Sequence, residues 1–258
     1  MIVTTEAIVL HARKFGDTSR IVTLYTKEFG RTSVIAKGAR HTKSKFGSAL
    51  NPLSYISVTY YKQPNKDLHL LSKAETIRPL KRLGDSYDHL TLGLSIAEVM
   101  VATQELDEAN HELFELLLQS LKALNAAEEN PYSVYVSFQL HLAQSMGFAI
   151  NLYEYTETDE KISLEDAADF VFSFANGAMF SPRVLGARIG FRLRSTVVGA
   201  LQFLYDTPLE RAGEIALSQS DKDQIQDFFA QYFSFHLERK FPQRVHNLRK
   251  ISPSISGL

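Results

Sequence analysis

The chain has 258 residues, 45% of them hydrophobic, a net charge of −1, and neither cysteine nor tryptophan. That length suits roughly two domains with sizeable cores, and the missing cysteines exclude disulfides and thiolate metal sites while fitting a reducing compartment. No stretch approaches the ~20 apolar residues of a membrane span, and the N-terminal MIVTTEAIVLHARK lacks the ~7–15-residue apolar run of a secretory signal, so a cytoplasmic protein without membrane contact is expected.

Residues 2 to about 78 read as short strands. Glu6–Leu10 leads into a turn at Phe15-Gly16-Asp17. Arg20–Thr26 alternates Ile21, Thr23, Tyr25 against Val22, Leu24, Thr26, and the turn Phe29-Gly30-Arg31 precedes Ser33–Ala36. A basic loop runs from Lys37 to Ser48. Tyr55–Tyr61 alternates again, and Pro64-Asn65-Lys66-Asp67 turns into Leu68–Ile77. Five strands with polar turns at this spacing predict a small closed sheet. At this length the natural candidate is the five-stranded Greek-key barrel called the OB-fold.

After Pro79 the spacing becomes helical. One stripe holds Leu90, Leu94, Ala97 and Val101, and a second Leu113, Leu117, Leu121 and Leu124. Asn130-Pro131 reads as a cap with proline at the first helical position, followed by Val134, Tyr135, Phe138 and Leu142. Arg183–Tyr205 carries Leu185, Ile189, Leu193, Val197, Leu201 and Leu204 and predicts one helix. Ser220 is expected to cap a helix bearing Ile225, Phe228, Phe229, Tyr232 and Phe233, with Asp221 and Asp223 in its first turn. The predicted architecture is therefore a barrel domain over 1–80 and an all-α domain over 81–258.

Charge follows the same division. Residues 1–82 hold 15 Lys/Arg against five Asp/Glu, a net of +10, so the remainder sums to −11. From Leu83 to Asp169 there are two basic residues against 17 acidic ones; from Phe170 onward, 11 basic against seven acidic. Such asymmetry points to a polyanionic partner for the first third of the chain. The densest basic element is Lys37–Ser48, with Lys37, Arg40, Lys43 and Lys45 and no acid. On a barrel of this kind cations track phosphates while aromatic rings stack bases. Tyr60, Tyr61 and Phe46 are the candidate platforms, and strand alternation requires one of the two tyrosines to point inward. Arg13, Lys14, Arg20 and Arg31 are further phosphate candidates, with Arg20 also placed to pair with Asp17. A solvated basic loop is the competing structural reading.

Marks of catalysis are missing. There is no GxGxxG, P-loop or GxSxG, and His111-Glu112 fails HExxH because position 115 is Glu. Glu105, Asp107 and Glu108 read as a solvated loop between helices. A magnesium nuclease would need acids beside the basic loop, and residues 32–66 contain none.

Several runs resemble the N-terminal domain of the RecO family of bacterial recombination mediators. They are Gly16-Asp17-Thr18-Ser19-Arg20, Thr26-Lys27-Glu28-Phe29-Gly30, Ala36-Lys37-Gly38-Ala39-Arg40, Ser44–Leu50 and Asp67-Leu68-His69 with Ala74-Glu75. Agreement is looser beyond, around Met146-Gly147-Phe148. The resemblance implies an OB-fold followed by a helical domain. It also implies binding of single- and double-stranded DNA, annealing of complementary strands, and partnership with RecR and the single-stranded-DNA-binding protein to load the recombinase RecA in the bacterial nucleoid. DNA contact carries over onto Lys37, Arg40, Lys43 and Lys45. An acidic partner tail would favour Arg188, Arg192, Arg194 and the basic C-terminus. Many members hold zinc through two CxxC pairs. The corresponding neighbourhoods here, within 152–183, contain neither Cys nor His, so no zinc site and no other cofactor are expected. Phe172, Phe174, Met179 and Phe180 are expected to fill that space, and Asn176-Gly177 to keep the turn. An OB-fold RNA-binding factor is the alternative, because charge and stacking serve RNA nearly as well.

Overall fold

The computed structural model describes residues 1–148, 150–158, 160–183 and 189–237. Contacts divide the chain into two compact units, residues 1–126 and 127–258.

The first unit opens with five strands: β1 (Ile2–Phe15), β2 (Ser19–Thr26), β3 (Gly30–Ala36), β4 (Tyr55–Tyr61) and β5 (Leu68–Arg78). They close into a barrel in the order β1-β2-β3-β5-β4. β1 is far longer than its apolar run because it serves two neighbours. Its first half, Ile2–Ile8, pairs with β4, and its second half, Ala7–Phe15, pairs with β2, with a register shift between Val9 and His11. Such a shift bends a strand and increases its twist, as a small barrel requires. Closure comes from a short parallel ladder, Ser33–Ile35 against Leu68–Leu70. Inward residues of alternating phase form the core, including Val9, Val22, Leu24, Val34, Ile56, Val58 and Tyr60.

Three helices complete this unit: α1 (Lys81–Asp85), α2 (Tyr87–Thr103) and α3 (His111–Ala126). The α3 stripe is as predicted, with Leu113, Leu117, Leu121 and Leu124 all buried. The α2 stripe is not. Leu90, Leu94 and Val101 are only partly buried, while Leu92, Ile96, Val99 and Met100 are fully so. α2 is apolar on most of its circumference, so periodicity alone does not single out its deepest face. Between α2 and α3 the acidic turn is tied to the barrel by its backbone. Leu106 forms a parallel bridge with Arg31, and the Asp107 N–H donates to the Arg31 carbonyl at 2.9 Å.

The second unit is helical, as expected, with an inset three-stranded sheet. Its elements are α4 (Pro131–Ser145), β6 (Asp169–Ser173), β7 (Ala178–Phe180), β8 (Phe191–Arg194), α5 (Ser195–Asp206), a 3-10 turn at Leu209–Glu214, and α6 (Gln219–His236). The sheet order is β7-β6-β8. The single helix predicted over Arg183–Tyr205 is therefore corrected. Phe191-Arg192-Leu193-Arg194 alternates with the period of a strand and pairs with β6, and the helix starts only at Ser195. Gly190 permits this, since a Cβ there would lie 2.4 Å from the Phe172 carbonyl oxygen. The Leu185 position of that stripe lies outside the described residues. The cap of α6 is also corrected. Ser218, not Ser220, accepts the Asp221 N–H at 3.1 Å, which makes Asp221 the third helical residue. The stripe Ile225, Phe228, Phe229, Tyr232 and Phe233 is buried as expected.

Two glycines separate conformational strain from close approach. Gly16 has φ 55° with open space around a built Cβ, whereas Gly30 has φ 62° and its Cβ would lie 1.8 Å from the Glu108 carbonyl oxygen. Gly16→Ala is expected to lose roughly 1 kcal/mol from the left-handed conformation, and Gly30→Ala more than about 2 kcal/mol from strain plus overlap. Denaturant titration measures both, and equal losses would rule out the Glu108 contact.

Within the barrel His69 stacks on Tyr60 at 5.6 Å and 16°. Burial chiefly holds its imidazole below the ordinary value of 6.5; Lys62 acts in the same direction, Asp107 and Asp67 against it. The unfolded chain then binds a proton that the folded barrel refuses. Stability is complete above pH ~6.5 and falls as pH drops through that value toward the folded pKa, by at most about 1.4 kcal/mol per pH unit for one proton. His69→Gln should flatten that part of the stability profile; an unchanged slope between pH 6.5 and 5 would assign it to other groups.

Candidate nucleic-acid interface

Residues opposite one another on adjacent strands share a face of the sheet. The register aligns Arg13, Ile21, Ile35, Leu70 and Tyr61 in one row across all five strands. The next row is His11, Thr23, Ser33 and Leu68. Their neighbours in the opposite phase, Val22, Leu24, Val34 and Ala36, fill the core, so both rows take the outer phase, although Ile21 is itself buried. Phe15 and Lys37 continue this outer phase, two residues beyond Arg13 and Ile35. Phe15 is 46% exposed and Tyr61 42%; Arg13 and Lys37 are exposed, and Ile35 and Leu70 half-buried. The face thus carries a ring toward either side, aliphatic surface between, and cations along it.

The basic loop closes the adjoining mouth of the barrel. Lys14 and Arg20 sit opposite each other there, and Arg20 faces Ala36, the last residue of β3. Phe46, Ala49 and Leu50 from the loop are buried in the barrel core, which turns a potentially mobile segment into a seated cap. Gly38 (φ 70°) and Gly47 (φ 51°) supply its left-handed turns. The Arg40 N–H donates to the Thr18 carbonyl at 2.9 Å, and Arg40 Nη1 donates to the Gly16 and Asp17 carbonyls at 3.0 and 2.8 Å. Lys37, Arg40, Lys43 and Lys45 are all exposed, and Lys45 Nζ lies 5.2 Å from the centre of the Phe46 ring.

Several expectations change here. Tyr60 is fully buried, its phenol pushed up to about 12 mainly by burial, and Phe46 is 4% exposed. Neither ring is available to stack a base, because both belong to the apolar core. Tyr61 takes the outward position that alternation allowed. Arg20 turns to Asn51 Oδ1 at 3.5 Å rather than to the Asp17 carboxylate. Arg31 shares the outer phase but stands at the far end of β3, half-buried beneath Leu106, with its Nε buried and unpartnered. Phe15 was read only as part of a turn. Its signal was an aromatic ring at a hairpin tip flanked by Arg13 and Lys14, where burial cannot absorb it.

In the second unit Arg188 lies outside the described residues, as does the basic tail beyond residue 237. Arg192 is exposed on β8. Arg194 is committed internally, bonding Gln224, Ser220 and, at 3.0 Å, the Asp221 carboxylate. Phe172 and Met179 are buried, Phe174 and Phe180 half-buried, and Gly177 makes the β6–β7 turn at φ 65°. Among the described residues no three His, Asp or Glu side chains gather as a metal site, and no helix is long and apolar enough to cross a membrane.

Two family models cover nearly the whole chain: Recombination protein O N terminal over residues 1–80 and Recombination protein O C terminal over 84–244. A DNA repair protein RecO of Nocardioides sp. is 32% identical over 93% of this chain and 96% of its own. The RecO of Chloroherpeton thalassium is 28% identical over 92% and 94%, and that of Salinibacter ruber 39% identical over 57% of each chain. The chain belongs to the RecO family.

Phe15→Ala and Tyr61→Ala should each weaken single-strand binding by roughly tenfold, the scale of one stacked base, and leave duplex binding nearly unchanged because duplex bases are already stacked. Tyr60→Phe, a core substitution, should alter neither. Fluorescence anisotropy with matched single and double strands reads all three; equal losses on both substrates would make the rings merely structural.

Proposed function

We propose that the chain is a DNA repair and recombination mediator that binds single- and double-stranded DNA, anneals complementary strands, and acts with RecR and the single-stranded-DNA-binding protein to load RecA. One observation carries this reading: the exposed ring Phe15, the cations Arg13, Lys14 and Lys37, and the cationic loop meet at one mouth of the barrel, where residues 32–66 supply no carboxylate, while Tyr61 stands exposed at the other end of the same outer row. Domain 1–80 is the DNA-binding part of the proposal and 81–258 the helical part. Family membership favours DNA over RNA as the polyanion.

The role is non-catalytic. Annealing brings two like-charged strands together with their bases free to pair. Lys37, Arg40, Lys43, Lys45, Arg13 and Lys14 neutralise phosphates and release counterions, which lowers the repulsion. Phe15 and Tyr61 hold bases by their faces, leaving the pairing edges open to the second strand. The seated loop fixes the cations relative to the rings, so less order has to be imposed on binding.

The test is annealing of two complementary strands precoated with the matching single-strand-binding protein. The chain should accelerate pairing. Binding to naked single strands should fall with salt at a log–log slope near −3.5, from about five contacts at roughly −0.7 each. Replacing Lys37, Arg40, Lys43 and Lys45 together by Ala should weaken binding to every sequence and flatten that slope. Tight binding to naked strands without acceleration would reduce the protein to a general nucleic-acid binder, and competition with matched RNA would then decide the polymer.

A further inference from the structure

A cavity of about 430 Å3 opens where the end of the basic loop meets the β5–α1 connection. Its volume lies within the ~300–1,000 Å3 typical of pockets that bury small organic groups. Leu53, Leu80, Leu83 and Leu90 make apolar walls, and Arg78 and Lys81 bring two exposed cations against one carboxylate, Asp85. Ser48, Asn51, Ser54 and Thr76 add neutral hydrogen-bonding groups. Leu53 is held there in the left-handed region at φ 68°, its N–H bonded to the Val9 carbonyl at 2.8 Å. A bulky residue kept in that conformation is imposed by its surroundings and is a mark of sites where backbone is held for a purpose. Asn51 also accepts from Arg20, and Ser48 ends the basic loop, so the cavity adjoins the cationic mouth.

We propose that this cavity takes one unstacked nucleotide of a single strand carried on the barrel, its base against the leucines and its phosphate at Arg78 and Lys81. The inference rests on the nucleic-acid reading above and adds a position to it. The chemistry matches on each count. A base has apolar faces and a polar edge that both donates and accepts, and the neutral groups with Asp85 can serve either role. A phosphate needs cations at the rim. A nucleotide inside a duplex cannot enter without being unpaired and unstacked, which costs a few kcal/mol, so the site discriminates single from double strands. An extruded nucleotide also gives an annealing protein a fixed register for the strand.

Gly84 provides the test. It lines the cavity, its φ lies outside the left-handed region, and a Cβ built on it meets nothing within 4 Å. Gly84→Trp therefore adds bulk at the cavity lining without a clash at its Cβ, and serves as the plug. Photo-crosslinking of the full chain to a single strand containing 4-thiothymidine, mapped by mass spectrometry, should mark residues 48–54 and 78–85 as well as the barrel face. The plug should abolish only the first set and lower single-strand affinity on the order of tenfold, one base contact's worth, with duplex affinity unchanged. Crosslinks confined to the barrel face, with wild-type affinity in Gly84→Trp, would overturn the cavity proposal and leave the interface standing. No crosslinks and no binding in the parent chain would remove both.

Discussion

The first unit depends on how little backbone closes its barrel. β3 is seven residues long, yet only Ser33–Ile35 find partners on β5. The other edge of Gly30–Thr32 would stand open, an unpaired row that a sheet has to cover. The turn after α2 covers it. Leu106 bridges to Arg31, Asp107 bonds the Arg31 carbonyl and the Thr32 hydroxyl, and Lys62 pairs with the Asp107 carboxylate at 3.3 Å. Gly30 lacks the Cβ that would exclude the Glu108 carbonyl. An acidic segment is thereby fastened to a basic barrel through backbone geometry, with one ion pair in support.

That fastening decides where the charges can act. The acidic turn sits at the Gly30 end of β3, and the cationic loop leaves from Ala36. Seven residues at ~3.3 Å each separate them by about 20 Å, more than two Debye lengths at the ~8 Å of physiological salt. Asp107 and Glu108 therefore leave the mouth of the barrel electrostatically positive while their backbone stabilises its far rim. Cations alone do not tell a single strand from a duplex, since both present phosphates. In the proposed role the exposed rings make that distinction, since only an unpaired base has a free face. The outer row crosses all five strands, from Arg13 near the cationic mouth to Tyr61 beside Ile2 at the other end of β1.

Much of this was legible in the sequence, for identifiable reasons. Strands that alternate, such as β3 and most of β4, were readable because one phase had to be apolar. The α3 and α6 stripes were readable because leucines and aromatics recur on one face against polar neighbours. What escaped depends on contacts between distant residues. Tyr60 and Tyr61 are chemically alike, and only the register with Leu71 and Leu70 says which is inside. Phe46 looked like a platform because it stands among cations, yet it is the anchor that lets them stand in place. β8 was hidden in a helical pattern because Leu193 serves a strand and a helix equally well, and the deciding feature is the passage of Gly190 against Phe172. Nothing local marked Leu53, whose conformation is set by β1.

The second unit shows how a small sheet is held by aromatic packing against a helix. Strands of five, three and four residues need an apolar face packed against another element to be stable. Phe172 meets Phe228 edge-on at 5.1 Å and Tyr232 at 5.8 Å, and Phe174 touches Phe191, Phe228 and Tyr232. β6 and β8 are thus tied to α6, and β7 is held through its pairing with β6, with Met179 and Leu193 buried. Edge-to-face pairs add roughly 0.5–1.5 kcal/mol each beyond the area they bury, and they resist shear because a tilted ring fits one partner at a time. A cluster of rings fixes the hairpin through many weak contacts rather than a few strong ones. The Tyr232 hydroxyl, bonded to the Phe148 carbonyl at 2.8 Å, gives that cluster a directional bond that helps fix its orientation.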